Sequence, residues 1–517
     1  MKSSPALLSL YLFISLFIGS GCVGTYDTTK KNELRGLRGI GPIRALTVDT
    51  LLYTFETFSF TDSVLSGKGY MKRKELTVPY EGSVPFNRIA FIERIDYSYW
   101  KPLWMIPMLA GTIASIKSML EGSTEFEIKR SNGSCPYIYS YDGEKFKMEA
   151  EAFGTSVSKA IEAQTFSLLP SLTAIDDRLR VRISNERPET HMLNSVQLFA
   201  ADADDAASVV LDINNFLWPV YHAVPPSAAH DHSGKDILAE ICATDGRYWK
   251  SDLTHIAPLS GFRDQLELQF DLAEGVSNAT LIVHAVNTDL INEASRSVGT
   301  ILGDATMEFY RTLEHEIQLQ HEIREWIHDC SLRIEIAHGS TWEEAGVMPP
   351  EATVAPFSRA IRLSHLNNFK GPLRVRLSSL TDVWRIDGVF IDFSTVQPIS
   401  MKSLEMISVT SSDKNNWENA IKSNDSLYAL LLPPHHIDLQ FRSAPVHRMR
   451  KPVYIIAAQG YLYEWFPLEK YSTDNFLSNN IPIGDRVAML SLLIRQKDLF
   501  LPPIYARWQK SIEDEMK

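Results

Sequence analysis

The stretch Ser134-Cys135-Pro136-Tyr137-Ile138-Tyr139-Ser140-Tyr141-Asp142-Gly143-Glu144-Lys145-Phe146-Lys147-Met148 sets the fold class. Tyr137, Tyr139 and Tyr141 recur at period two, and Phe146 and Met148 resume it beyond Asp142-Gly143. That period sends alternate side chains to opposite faces of a strand. An Asp-Gly pair between two such runs signals a hairpin, and a two-residue turn of the mirror type needs positive φ at both Asp142 and Gly143.

The alternation continues on both sides. Leu179, Val181 and Ile183 form a strand expected to pair with Val196 and Leu198, while Leu266, Leu268 and Phe270 precede a Gly275 turn into 281–286. Further strands are expected at 332–336, 373–377 and 386–393. Short strands with frequent turns argue a β-sandwich. Between 288 and 329 the steps become three and four, through Val298, Leu302, Ala305, Phe309, Leu313 and Ile317, which predicts helices broken near Gly299 or Gly303. The chain is therefore expected to be mainly β, with a β-sandwich region at 128–287, a helical insertion at 288–329, a second β region at 331–470 and a helical C-terminal tail at 471–517. Alternation through Leu46, Val48, Tyr53, Phe55 and Phe58 adds a small β domain at 45–97. An apolar helix is expected at 98–121, interfacial or transmembrane-like, because its uncharged part, 102–116, is shorter than the ~20 residues of an upright span.

At the N-terminus, Lys2 precedes the apolar run 6–18, and Gly19-Ser20-Gly21 leads into Cys22. This is the layout of a secretory signal peptide at 1–21. A cysteine directly after small residues resembles the bacterial lipoprotein processing site, which implies lipidation of Cys22 and a flexible tether at 22–44. Val23 in place of Asp resembles the pattern of outer-membrane export, so the expected location is the bacterial cell envelope, facing periplasm or surface. The net charge of −12 and pI of about 5.7 argue against nucleic acid as a partner. Four scattered cysteines exclude a thiolate zinc knuckle. Cys135 and Cys242 either form one disulfide or stay as buried thiols, with Cys330 left over at a helix end.

No motif assigns a catalytic, cofactor or metal residue. His315-Glu316 and His321-Glu322 lack the second histidine of a zincin, and the helical face of His321, Glu325 and His328 reads as a solvated surface. His230-Asp231-His232 falls in a loop after Pro225-Pro226, where polar residues collect for solvation alone. Asp202, Asp204 and Asp205 lack the glycine of a calcium loop. The candidate ligand surface is the row Tyr461, Tyr463 and Trp465, thrown to one face by period two. Such rows stack on sugar rings or pack as core, and packing is the commoner use.

The segment 134–146 resembles a group of bacterial envelope lipoprotein-like proteins with a Cys-Pro-aromatic hairpin and an Asp-Gly turn, a group with no assigned activity. In the same order Leu179 to Ser184 with Asn185-Glu186 and Glu189-Thr190, then Gly234-Lys235-Asp236, Trp384-Arg385-Ile386-Asp387, and Gly460-Tyr461 with Glu464-Trp465 are similar to that group. The resemblance spans 132–466, supports an envelope location and transfers no catalytic residue. The expected function is that of a lipid-anchored envelope protein that binds or scaffolds, its partners the bilayer, through acylated Cys22 and the apolar helix, and an envelope protein or glycan. The alternative is an envelope hydrolase acting on glycan or peptide through carboxylates gathered from distant strands.

Overall fold

The computed structural model describes residues 24–28, 43–47, 51–61, 63–73, 76–85, 88–97, 136–187, 189–253, 262–272, 275–302, 306–368, 371–443, 451–464, 501–502, 504–505 and 508–509. Cys22, Cys135, the apolar stretch 98–121 and Trp465 lie outside them. The chain is mainly β: of the described residues, 53% are strand and 14% helix. Among the described residues, no helix is long and apolar enough to cross a membrane.

Contacts divide the chain into two units, 1–116 and 117–517. The first holds a six-stranded antiparallel sheet in the order Gly24–Thr28, Ile89–Tyr97, Ile43–Thr47, Leu52–Phe60, Val64–Arg73 and Leu76–Pro85. Gly24–Thr28, within the expected tether, is thus an edge strand, with Gly24 opposite Tyr97. Ile43, Phe55, Leu65 and Val84 form the core, and Tyr80 meets Tyr53 edge-on at 4.7 Å.

Among the described residues the second unit holds four sheets, two of which build the sandwich. One runs Met406–Ser411, His436–Arg442, Arg178–Ser184, Tyr137–Tyr141, Phe146–Glu151. The other runs Met401–Ser403, Glu189–Ala203, Lys451–Glu464, Ala163–Leu168. The pairing of Leu179, Val181 and Ile183 with Val196 and Leu198 expected from sequence does not form: the two strands lie in different sheets. Their residues meet face to face across the core, together with Leu439, Phe441 and Ile456. Likewise Arg263–Phe270 and Ala279–Asn287 form no hairpin with each other: the first pairs with Leu373–Leu380, the second with Phe357–Leu363 and Trp384–Asp392. The regions 128–287 and 331–470 are woven into the same sheets.

The helical insertion comprises α1 (Leu290–Leu302), α2 (Thr306–His315) and α3 (Ile317–Cys330). α1 continues through Gly299. The indole Nε1 of Trp384 donates to the Cys330 carbonyl at 2.8 Å and satisfies a helix-end acceptor. Of the expected helical tail, 501–502, 504–505 and 508–509 are helical, and they bury Leu501, Ile504, Tyr505 and Trp508.

The decisive hairpin forms, but not with a two-residue turn. Tyr141 pairs with Phe146, leaving the four-residue loop Asp142-Gly143-Glu144-Lys145. The amide of Asp142 donates to the Lys145 carbonyl, and its carboxylate accepts the amides of Glu144 and Lys145 at 2.9 and 2.8 Å. Only Gly143 takes positive φ, at 105°. An aspartate that captures its own downstream amides favours this turn over the mirror type.

Candidate functional site

Along Tyr137–Tyr141, Ile138 points into the sandwich core, so period two turns Tyr137 and Tyr139 to the opposite face. The partner strand carries a bulge: Ile138 pairs with Ala150 and Tyr139 with Met148, so Glu149 is the extra residue. Bulges re-aim a side chain. Here the Glu149 carboxylate accepts the Ser140 hydroxyl on one oxygen and the Ser171 amide, at 2.8 Å, on the other.

These residues line an open groove of about 730 Å³. Tyr137, Tyr139 and Met148 form its floor with Glu149, Pro170 and Glu186, and Val354, Ala355 and Pro356 supply the facing wall. Glu151 fixes that wall to the hairpin. Its Oε1 accepts the amides of Thr353, Val354 and Ala355 at 3.1, 2.6 and 3.1 Å, and its Oε2 accepts the Thr353 hydroxyl at 3.3 Å. Burial pushes the Glu151 carboxyl above its ordinary value, against the downward pull of those amides.

The floor is stiffened from beside. Tyr139 donates its hydroxyl to Glu186 Oε1 at 2.7 Å. Arg182 holds Asp438 through two hydrogen bonds, of 2.7 and 3.0 Å, and lays its guanidinium over the Phe146 ring at 4.4 Å. Arg180 covers Tyr141 at 4.8 Å. The groove thus offers aromatic and proline faces beside two carboxylates whose oxygens each accept up to two hydrogen bonds. Concave sites that combine apolar surface with a few fixed polar groups are the usual form of ligand sites.

Tyr461 and Tyr463, expected as a candidate ligand surface, pack against the helical layer. Tyr461 is only 6% exposed. Tyr463 donates its hydroxyl to Glu314 of α2 at 2.5 Å and meets the Tyr310 ring at 4.9 Å. Burial first, then Glu314, raises the pKa of both phenols. Tyr428 joins edge-on to Tyr461 and donates to Glu162 at 2.8 Å.

The other polar motifs take part in turns. Asp231 ends the strand Ala228–Asp231, not a loop, and accepts the amides of Ser233 and Lys235 at 2.8 and 3.0 Å. Asp204 accepts the Ala206 amide at 3.2 Å. His328 Nδ1 lies 3.1 Å from the Arg333 guanidinium. Of the residues carrying the resemblance, Asn185 ties Glu189 and Leu431 by their carbonyls at 2.8 and 2.9 Å, and Asp387 accepts the Gly246 amide at 2.9 Å. Cys242 is a free thiol. Among the described residues, no three His, Cys, Asp or Glu side chains converge as metal ligands.

A buried aspartate at the start of Arg263–Phe270 receives the backbone of the turn 381–383. Asp264 and Asp382 are each 4% exposed. The Asp382 amide donates to Asp264 at 3.2 Å, Ser251 bonds Asp264, and the Trp508 indole donates to Asp382 at 2.6 Å. Burial pushes Asp382 up to about 6 and raises Asp264.

Sequence reasoning saw the tyrosine row of the hairpin and Glu186, but not the groove. The signal it lacked is the wall at 353–356, which reaches the hairpin only through the third dimension. A scan against models of protein families finds no match, and no curated protein matches the chain.

Proposed function

We propose that this chain is a lipid-anchored cell-envelope protein that binds a saccharide chain in the groove between the hairpin Tyr137–Glu151 and the wall 353–356. The observation that carries the proposal is the convergence, in one groove, of the half-buried Tyr139 and the exposed Glu186, joined at 2.7 Å, with Met148, Pro170 and the wall at 354–356, over a Tyr137 that is itself buried. Ring faces stack on the apolar faces of sugars, and carboxylates accept their hydroxyls. Cys22, after Gly19-Ser20-Gly21, is the proposed site of the anchor, with the outer membrane as its place.

Calorimetric titration with soluble envelope-glycan oligosaccharides tests the binding. Tyr139→Ala and Glu186→Gln should each weaken it about tenfold, ~1.4 kcal/mol, while leaving the melting temperature near wild type. Absence of binding to the wild type overturns the proposal. Labelling with an alkynyl fatty acid that persists in Cys22→Ala would remove the anchor. A hydrolase is the second reading, favoured by the two carboxylates on the same floor, and release of new reducing ends during the titration would move the assignment to it.

A further inference from the structure

A second cavity lies between the helical layer and the residues Thr155, Val157, Pro350 and Glu464, apart from the groove. It has a volume of about 80 Å³. α1 contributes one stripe to it, Ile291, Ala294, Val298 and Leu302, at steps of three and four. α3 contributes Ile323, Trp326 and Ile327, and α2 adds Phe309. Protein interiors close-pack, and voids larger than a water are few. A water needs only ~10–15 Å³, so the space is large enough for several; its lining is mostly apolar, with Thr155, Asn292, Ser295 and Glu464 as polar members. Leu302 lies 11 positions beyond Ile291 on one helix, which at 1.5 Å per residue makes the lining roughly 16 Å long. A lining of that length around so small a volume suits a linear hydrocarbon better than a ring system, and we call the space a channel.

We infer that this channel binds a single saturated acyl chain, carried by a free fatty acid or by a membrane phospholipid. The two sources share the chain and differ in the head group, so one probe of each kind separates them. The full chain, reconstituted in phosphatidylethanolamine and phosphatidylglycerol vesicles, is irradiated with a diazirine fatty acid in one arm and with a phospholipid bearing the same diazirine chain in the other. Adducts are mapped by mass spectrometry. The expected result is labelling of peptides within 290–330 that falls about tenfold, ~1.4 kcal/mol, in Val298→Phe, which fills the channel. Ala294→Leu should give the same loss and guards against misfolding of the first variant. Labelling by the acid alone identifies a fatty acid, and labelling by the phospholipid identifies the bilayer lipid. No adduct within 290–330 from either probe overturns the inference, as does labelling unchanged in both folded variants.

Discussion

Glu151 Oε1 accepts the amide of Val354 at 2.6 Å across 203 positions of sequence. The same oxygen takes the amides on either side, so one buried carboxylate organises three consecutive N–H groups and sets the groove wall. Glu151→Ala would leave those donors buried and unmet, which should cost ~3 kcal/mol or more. Glu151→Gln keeps one acceptor oxygen and should cost about half as much. Denaturant melts give the order, and faster amide exchange at 353–355 locates the change. A Glu151→Ala melt that coincides with wild type would show that the wall stands without its clamp.

Gly143 carries the turn of the hairpin at φ 105°. A β-carbon built there meets Ile175 Cδ1 at 3.5 Å, ordinary contact, so space is not the obstacle. The backbone is: only glycine adopts that region without strain. Gly143→Val should cost on the order of 1–3 kcal/mol, read as a lower melting temperature. An unchanged melt would mean that the loop relaxes to negative φ.

The mainly-β class and the helical insertion were legible because each rests on local period. Tyr137-Ile138-Tyr139 and the α1 stripe of Ile291, Ala294 and Val298 carry their burial pattern within a single element. Strand pairing was not legible, because Leu179 opposite Phe441 and Val196 opposite Ala458 join residues whose proximity no local pattern encodes. The turn type was misread because the Asp142 side chain, which competes for the amides of Glu144 and Lys145, outweighs the preference of the Asp-Gly pair. Half of the groove could be seen: Tyr137, Tyr139 and Glu186 stand out by residue type. Glu149 could not, since only the bulge aims it there.

Asp382, which accepts the Trp508 indole, makes stability depend on pH. Its folded-state carboxyl titrates at about 6 against the ordinary 3.8, because burial outweighs the Trp508 hydrogen bond and the positive charge of Arg385. Between those values the folded chain holds a proton that the unfolded chain has lost. The stabilisation is therefore full below pH ~4 and fades as pH rises through about 6, by up to ~3 kcal/mol. Asp264 and Glu151, also raised, act with the same sign. Asp382→Asn keeps an oxygen for the indole and tolerates the positive φ of 59° at this position. Its stability relative to wild type should increase from pH 4 to pH 7.5. A difference constant across that range would show that Asp382 does not titrate there.

The tyrosines beneath α2 separate core from platform. Tyr461 is 6% exposed and touches two other rings, Tyr428 at 5.3 Å and Tyr463 at 5.5 Å. Removing it as Tyr461→Ala should cost ~3–5 kcal/mol, the range for deleting a large buried ring. Tyr463→Phe keeps its ring against Tyr310 and deletes only the hydroxyl that donates to Glu314, which should cost ~1–2 kcal/mol. Both changes act on the seam between the sheet and the helical layer, so they should also loosen α2, seen as faster amide exchange across Thr306–His315. Saccharide affinity at the Tyr139 groove should stay at the wild-type value in Tyr463→Phe. If that variant instead lost saccharide binding with its melting temperature intact, the ligand surface would lie on the Tyr461 row and not on the hairpin.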